Sequence, residues 1–129
     1  MSPLLLLAVG VAGGAGAGLR YLTDLGVGRL LGTRFPWGIL MVNVTGSLAL
    51  GVVTGALSAG ELAWVLGAGL LGGFTTFSTV AVETWLLGEA GRRRAALVNA
   101  AGSVIACVAA AALGLLVGAA LVQQWPWDT

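Results

Sequence analysis

Four apolar stretches, each long enough to cross a bilayer, take up most of this 129-residue chain: about 3–22, 37–58, 62–83 and 95–122. The hydrocarbon core of a bilayer is roughly 30 Å thick and asks for about 20 apolar residues per helix. Charge enters these stretches only near their ends, as Arg20 and Glu83. With 58% hydrophobic and 9% charged residues, the chain lacks the charge to clothe a water-soluble surface. The pattern predicts an all-α membrane protein, a single four-helix transmembrane domain over residues 1–129. The last stretch exceeds one span, and tilt or an interfacial extension absorbs the excess.

The same totals exclude several classes of function. A formal net charge of +1 argues against a nucleic-acid partner. There is no histidine, and the one cysteine, Cys107, lies in an apolar run, which disfavours a zinc site or a disulfide framework. Serine and threonine are plentiful, but no histidine exists to activate them, so the chain is not expected to be an enzyme. Met1-Ser2-Pro3 lacks the basic region of a signal peptide and is expected to open the first span.

The links carry the orientation. Arg29 and Arg34 fall in the polar link after the first span, and Arg92, Arg93 and Arg94 in the link after the third. The short turn 58–61 and the tail 123–129 hold no Lys or Arg. The positive-inside rule then places both basic links in the cytoplasm and both termini outside. Trp37, Trp64, Trp85, Trp125 and Trp127 fall near span ends, as an aromatic belt requires. Gly10, Gly14 and Gly18, then Gly51 and Gly55, then Gly114 and Gly118 recur every four residues, and such small faces let membrane helices approach closely.

The third stretch departs from a clean span. It contains Gly72-Gly73-Phe74-Thr75-Thr76-Phe77-Ser78-Thr79-Val80. Paired glycines weaken a helix, and hydroxyl side chains compete for its backbone bonds. A helix broken near mid-membrane is predicted, its freed groups turned toward protein. Irregular backbone at that depth is tolerated where it is buried or lines a path.

Polar residues recur elsewhere in hydrocarbon. Asn43 and Ser47 lie one turn apart in the second stretch, and Asn99, Ser103 and Cys107 are spaced by four in the fourth. Hydrogen bonds between helices, worth about 1 kcal/mol each or less, are the simplest use for them. Two polar stripes beside a broken helix point instead to a lined pathway. A proton relay or coupled carrier normally needs an ionisable group inside the membrane, and this lining has none. Hydroxyl and amide donors suit a small anion moving passively. Phenyl ring edges, which are weakly electropositive, suit it too, and Phe74 and Phe77 carry such edges. Exposed carbonyls at the break suit a cation.

These residues resemble a known family. The run from Gly72 to Thr79 followed by Glu83 resembles the signature of the Fluc (CrcB) fluoride channels. Asn43-Val44-Thr45-Gly46-Ser47 resembles the motif of their second helix, and Gly14 through Arg20-Tyr21 that of their first. The resemblance spans all four stretches in order. It implies a passive channel that exports cytoplasmic fluoride from a microbial cell across its plasma membrane, relieving toxicity. It implies an antiparallel dimer with a sodium ion held at its centre by backbone carbonyls, here those of Gly72 and Thr75. By position, Asn43, Phe77, Ser103 and Asn99 fall on the fluoride pathway, with Thr79 and Cys107 beside it and Arg20 at the vestibule.

Three positions depart from the family pattern. Val80 stands where a second phenylalanine is usual, so one pathway loses a ring edge, Cys107 replaces a hydroxyl, and Ile39 replaces a common threonine. A homodimer of opposed copies also calls for balanced arginines, and this chain is strongly biased. Val80 and the arginine bias together suggest a related subunit of opposite orientation that supplies the missing ring. Two other classes fit a four-helix chain. A small multidrug-exporter-like transporter would carry an acid in its first helix, which is absent here. A structural subunit of a membrane complex would carry no ion flux.

Overall fold

The computed structural model describes residues 2–57 and 59–124, and all regular structure among them is helical. Trp125 and Trp127 lie outside the described residues. Among the described residues, four stretches are long and apolar enough to cross a membrane: Pro3–Leu31, Trp37–Ala56, Glu61–Glu89 and Arg93–Gln123. Helix α1 is Pro3–Leu31 and α2 is Trp37–Ala56. The third stretch is two helices, α3 over residues 61–74 and α4 over Ser78–Glu89, with residues 75–77 non-helical. Helix α5 is Arg93–Gln123. Wider π-type turns occupy Trp64–Leu71 of α3 and Val98–Gly102 of α5.

Helix α1 starts where the Ser2 hydroxyl accepts from the Leu5 amide, with Pro3 in the first turn. It runs well past residue 22, where the sequence suggested a polar link. Polarity alone does not end a helix. Thr23 bonds back to the Leu19 carbonyl at 2.8 Å, and the helix stops only at Gly32, whose φ of +79° leaves the helical region. Helix α4 likewise continues through Thr84 to Glu89. It closes with Gly91 at φ +73°, the Arg92 amide bonding to the Leu87 carbonyl and the Gly91 amide to that of Gly88. This double closure satisfies carbonyls that a helix end would otherwise orphan. Arg92 also donates to the Arg34 carbonyl, which ties the two basic links together at one end of the bundle.

The helices pack through bare backbone in two pairs. Gly51 and Gly55 of α2 face Gly114 and Gly118 of α5 so closely that a methyl on any of the four would fall on backbone of the other helix. A Gly51→Ala change should therefore push α2 from α5 at a cost of about 1–3 kcal/mol, read as a lower thermal midpoint in detergent. The second pair, α1 with α3, corrects the reading of the first helix. Gly10, Gly14 and Gly18 have open space around them, and the contact runs through Gly13 and Gly16 against Gly69, Leu70, Gly73 and Phe74. Gly69 and Gly73 form the matching face on α3, and this pairing selects which side of α1 turns inward.

The interior mixes polar and apolar residues. Asn43, Thr76, Asn99 and Ser103 are buried beside Ile39, Val42 and Val80, while large apolar residues such as Leu4, Leu30, Ile105 and Leu116 stand on the outside. Lipid tails are as apolar as leucine, so burial of leucine gives no drive for helix association, and close packing and polar contacts take its place. Trp37, Trp64 and Trp85 are exposed close to helix ends.

Candidate ion pathway

The break between α3 and α4 is built by diverted hydrogen bonds. Thr75 completes α3 through its amide and its hydroxyl, both bonded to the Leu71 carbonyl, at 2.9 and 3.0 Å. Its ψ then swings to 159° and the chain leaves the helix. A continuing helix would aim the Thr76 amide at the Gly72 carbonyl. Instead that amide donates to Asn43 Oδ1 at 2.7 Å, and Asn43 Nδ2 donates to the Thr76 carbonyl at 2.8 Å. One buried amide side chain thus satisfies both backbone groups of Thr76. The Thr79 amide, which a helix would aim at the Thr75 carbonyl, bonds the Thr76 hydroxyl at 3.3 Å. Thr76 therefore caps α4, and its hydroxyl also meets those of Ser78 at 3.2 Å and Thr79 at 3.1 Å.

The consequence falls on the carbonyls before the break. Those of Gly72 and Thr75 are among the ones left without a helical donor, the amides of Thr76 and Thr79 having turned elsewhere. The Thr75 carbonyl receives the Arg20 guanidinium at a long 3.4 Å. Arg20 is thereby placed against the break, midway along a helix that continues beyond it.

Beside the break lies an open groove of about 740 Å³. Asn43 and Ser47 enter it from α2, Val80 and Thr84 from α4, and Ser103 and Cys107 from α5. Gly72, Thr75, Thr76 and Phe77 form its wall at the break. Phe77 is 80% exposed, whereas Val80 is packed away at 7%. The groove thus gathers Asn43, Phe77, Val80, Ser103, Cys107, Gly72 and Thr75, residues expected at the pathway or the ion site. Thr79 stands apart in the hydroxyl cluster. Asn99 stands behind α4, 1% exposed, its Nδ2 donating to the Val80 carbonyl at 3.3 Å and to Thr84 Oγ1 at 2.9 Å. Asn99 Oδ1 and Ser103 Oγ are buried without a hydrogen-bond partner.

Ser47 joins the groove as the polar stripe of the second span implies, while Thr76 and Thr84 belong to the site without a sequence signal of their own. Thr84 looks like part of a polar link in the sequence, but α4 runs on through it to Glu89. Thr76 sat inside the motif, but only its partner Asn43, 33 positions away, gives it a role.

The profile of the family described as "CrcB-like protein, Camphor Resistance (CrcB)" matches residues 7–115. The chain belongs to this CrcB-like family. Among its relatives, the fluoride-specific ion channel FluC of Rhodospirillum centenum is 44% identical over 124 residues, covering 92% of this chain and 95% of the relative. The fluoride-specific ion channel FluC 2 of Natronomonas pharaonis is 47% identical over 121 residues, covering 94% and 100%. The FluC 1 protein of Frankia casuarinae is 48% identical over 119 residues, covering 85% and 91%. Like these relatives in its sequence, this CrcB-like chain is a multi-pass membrane protein whose third span is interrupted. No group of three or more His, Cys, Asp or Glu side chains gathers among its described residues.

Proposed function

We propose that this chain is one subunit of a passive fluoride channel and that the groove beside the break is its half of the ion path. The observation that carries the reading is the interruption at residues 75–77, held open by Asn43 and opening onto a groove with hydroxyls and an exposed phenyl ring. The names of the relatives support the choice of ion. Hydrogen fluoride crosses a bilayer neutral and dissociates inside, and the inside-negative potential drives the anion out by about 2.3 kcal/mol per 100 mV. Along the groove, Ser47 and Ser103 bring hydroxyls and Phe77 brings a ring edge.

The residues at the break fit a structural sodium ion. The Gly72 carbonyl has lost its helical donor, the Thr75 carbonyl keeps a second lone pair beside its long contact from Arg20, and main-chain oxygens suit a hard cation. Bound there, sodium would supply fixed positive charge at the subunit's exposed side. The exposed Phe77 and the open groove call for a second subunit to close the path, in antiparallel array. The arginine bias and the buried Val80 favour a related subunit of opposite orientation that presents its own ring across from Val80. The basic links then face the cytoplasm, and the assembly lies in the plasma membrane.

Cells stripped of their own fluoride exporters provide the test. Expressed with a family member of opposite arginine bias, this chain should restore growth in fluoride, and Phe77→Ile in it should cancel most of the rescue. Expressed alone, it should rescue poorly. Full rescue by the chain alone would overturn the pairing, and no rescue by an assembled pair would overturn the fluoride assignment.

A further inference from the structure

Asn99 lies on the polar stripe of α5, yet its donor group never reaches the groove. Both contacts of its Nδ2 are on α4, one to the Val80 carbonyl and one to Thr84 Oγ1, and the residue is sealed from solvent. We propose that Asn99 and Thr84 form a latch that sets the rotation of α4 about its axis, and that they act on conduction by fixing where Phe77 and Val80 point. Asn99 is then a positioning residue, not a donor to the ion.

The geometry explains why α4 needs one. Helix α4 is short, 12 residues, and its N-terminal end follows a non-helical stretch. Asn43 fixes Thr76 just before the helix, which pins one end but leaves rotation open. Val80 and Thr84 are four apart and so share one face. Binding both from α5 holds that face inward. Val80 is then buried, and the exposed Phe77 lies three residues before it, at the mouth of the helix. The α5 turn that carries Asn99 is itself wide, the π-type segment Val98–Gly102, a form that frequently marks functional positions. A threonine hydroxyl in a helix ordinarily bonds back to the carbonyl four residues earlier. Here the amide of Asn99 sits across both of those groups, joining two helices with one side chain.

This inference rests on the fluoride reading for one of its two tests and is independent of it in the other. In the assembled protein, Thr84→Val removes the hydroxyl without changing the shape, and fluoride efflux from liposomes should fall roughly three- to tenfold. Thr84→Ser, which keeps the hydroxyl, should recover most of the efflux that Thr84→Val loses. Asn99→Leu should cost more, since it frees the Val80 carbonyl as well, and the double variant should be no slower than Asn99→Leu alone. Fluoride concentration at half-maximal flux should be unchanged throughout. Multiplicative losses, or a shifted half-maximal concentration, would mean direct contact with the ion and would overturn the latch.

The second test needs no flux. With 4-fluorophenylalanine at position 77, the wild-type ring should give one fluorine resonance. Thr84→Val should split or broaden it, and Thr84→Ser should restore it. A wild-type spectrum in Thr84→Val would overturn the proposal. Loss of flux in the wild type, beside the expected spectra, would remove the fluoride reading and leave the latch standing.

Discussion

Asn43→Leu should abolish fluoride efflux while leaving four helices in the membrane. The side chain is nearly the same size, so the packing volume between α2 and the break is preserved. What disappears is the pair of bonds to Thr76, at 2.8 and 2.7 Å. Each buried backbone group left unpaired costs about 1–3 kcal/mol. The cheapest relief is for the Thr76 amide to turn back to the Gly72 carbonyl, which extends α3 through the break. The variant should therefore gain helical content locally, lose the exposed carbonyls and conduct at least about a hundredfold more slowly, by the same energy. Asn43→Asp should fail for a related reason, since a carboxylate would face the Thr76 carbonyl. Fluoride-electrode recordings and the amount of protein recovered as assembled complex separate conduction from folding.

Gly16→Ala should be the most damaging single methyl in the chain. A methyl there would land on the Leu70 carbonyl and the Phe74 amide, both backbone. Neither can move without shifting α3 just before the break. Overpacking of this kind typically costs 1–3 kcal/mol, and about 3 kcal/mol or more is expected where backbone is the obstacle. Gly73→Ala makes the same collision from the other side, against Gly13. Gly14→Ala is the control, with open space around its position. Thermal melting in detergent should show a large drop for Gly16→Ala and Gly73→Ala and little change for Gly14→Ala. Equal melting of Gly16→Ala and Gly14→Ala would contradict the close crossing of α1 and α3.

The number of spans and the interrupted third one were legible because each rests on a local property. Apolar length predicts a span, and Gly72-Gly73 followed by hydroxyls predicts a break. The end of α1 was misjudged for the opposite reason. Residues Thr23, Asp24 and Arg29 look like a loop, but polar side chains do not by themselves end a helix, and this one runs on to Gly32. The glycine faces were half legible. Gly51, Gly55, Gly114 and Gly118 each offer one small face and use it. The first helix carries glycines on more than one side, and Gly69 and Gly73 of another helix decide between them.

At the site, residue types were readable and their pairings were not. Asn43 and Asn99 both looked like donors along a path. Asn43 uses its oxygen and one of its two N–H groups on Thr76, whereas both contacts of Asn99 Nδ2 go to Val80 and Thr84. Nothing local distinguishes an amide that meets an ion from one that holds a backbone in place. The distinction depends on contacts across helices, 33 positions apart in one case and 15 in the other. The same holds for Val80. In the sequence it is a missing ring, and in the structure it is a buried side chain held inward by its own carbonyl's partner.

The central claim is that an ion meets the loosened middle of the third span. Its most direct test is efflux from liposomes loaded with equal fluoride and chloride, carrying the purified, assembled protein. The account predicts that fluoride drains down its gradient once charge balance is provided, while chloride stays inside. Retained fluoride in liposomes shown to contain the intact assembly, or chloride leaving at the same rate, would contradict it.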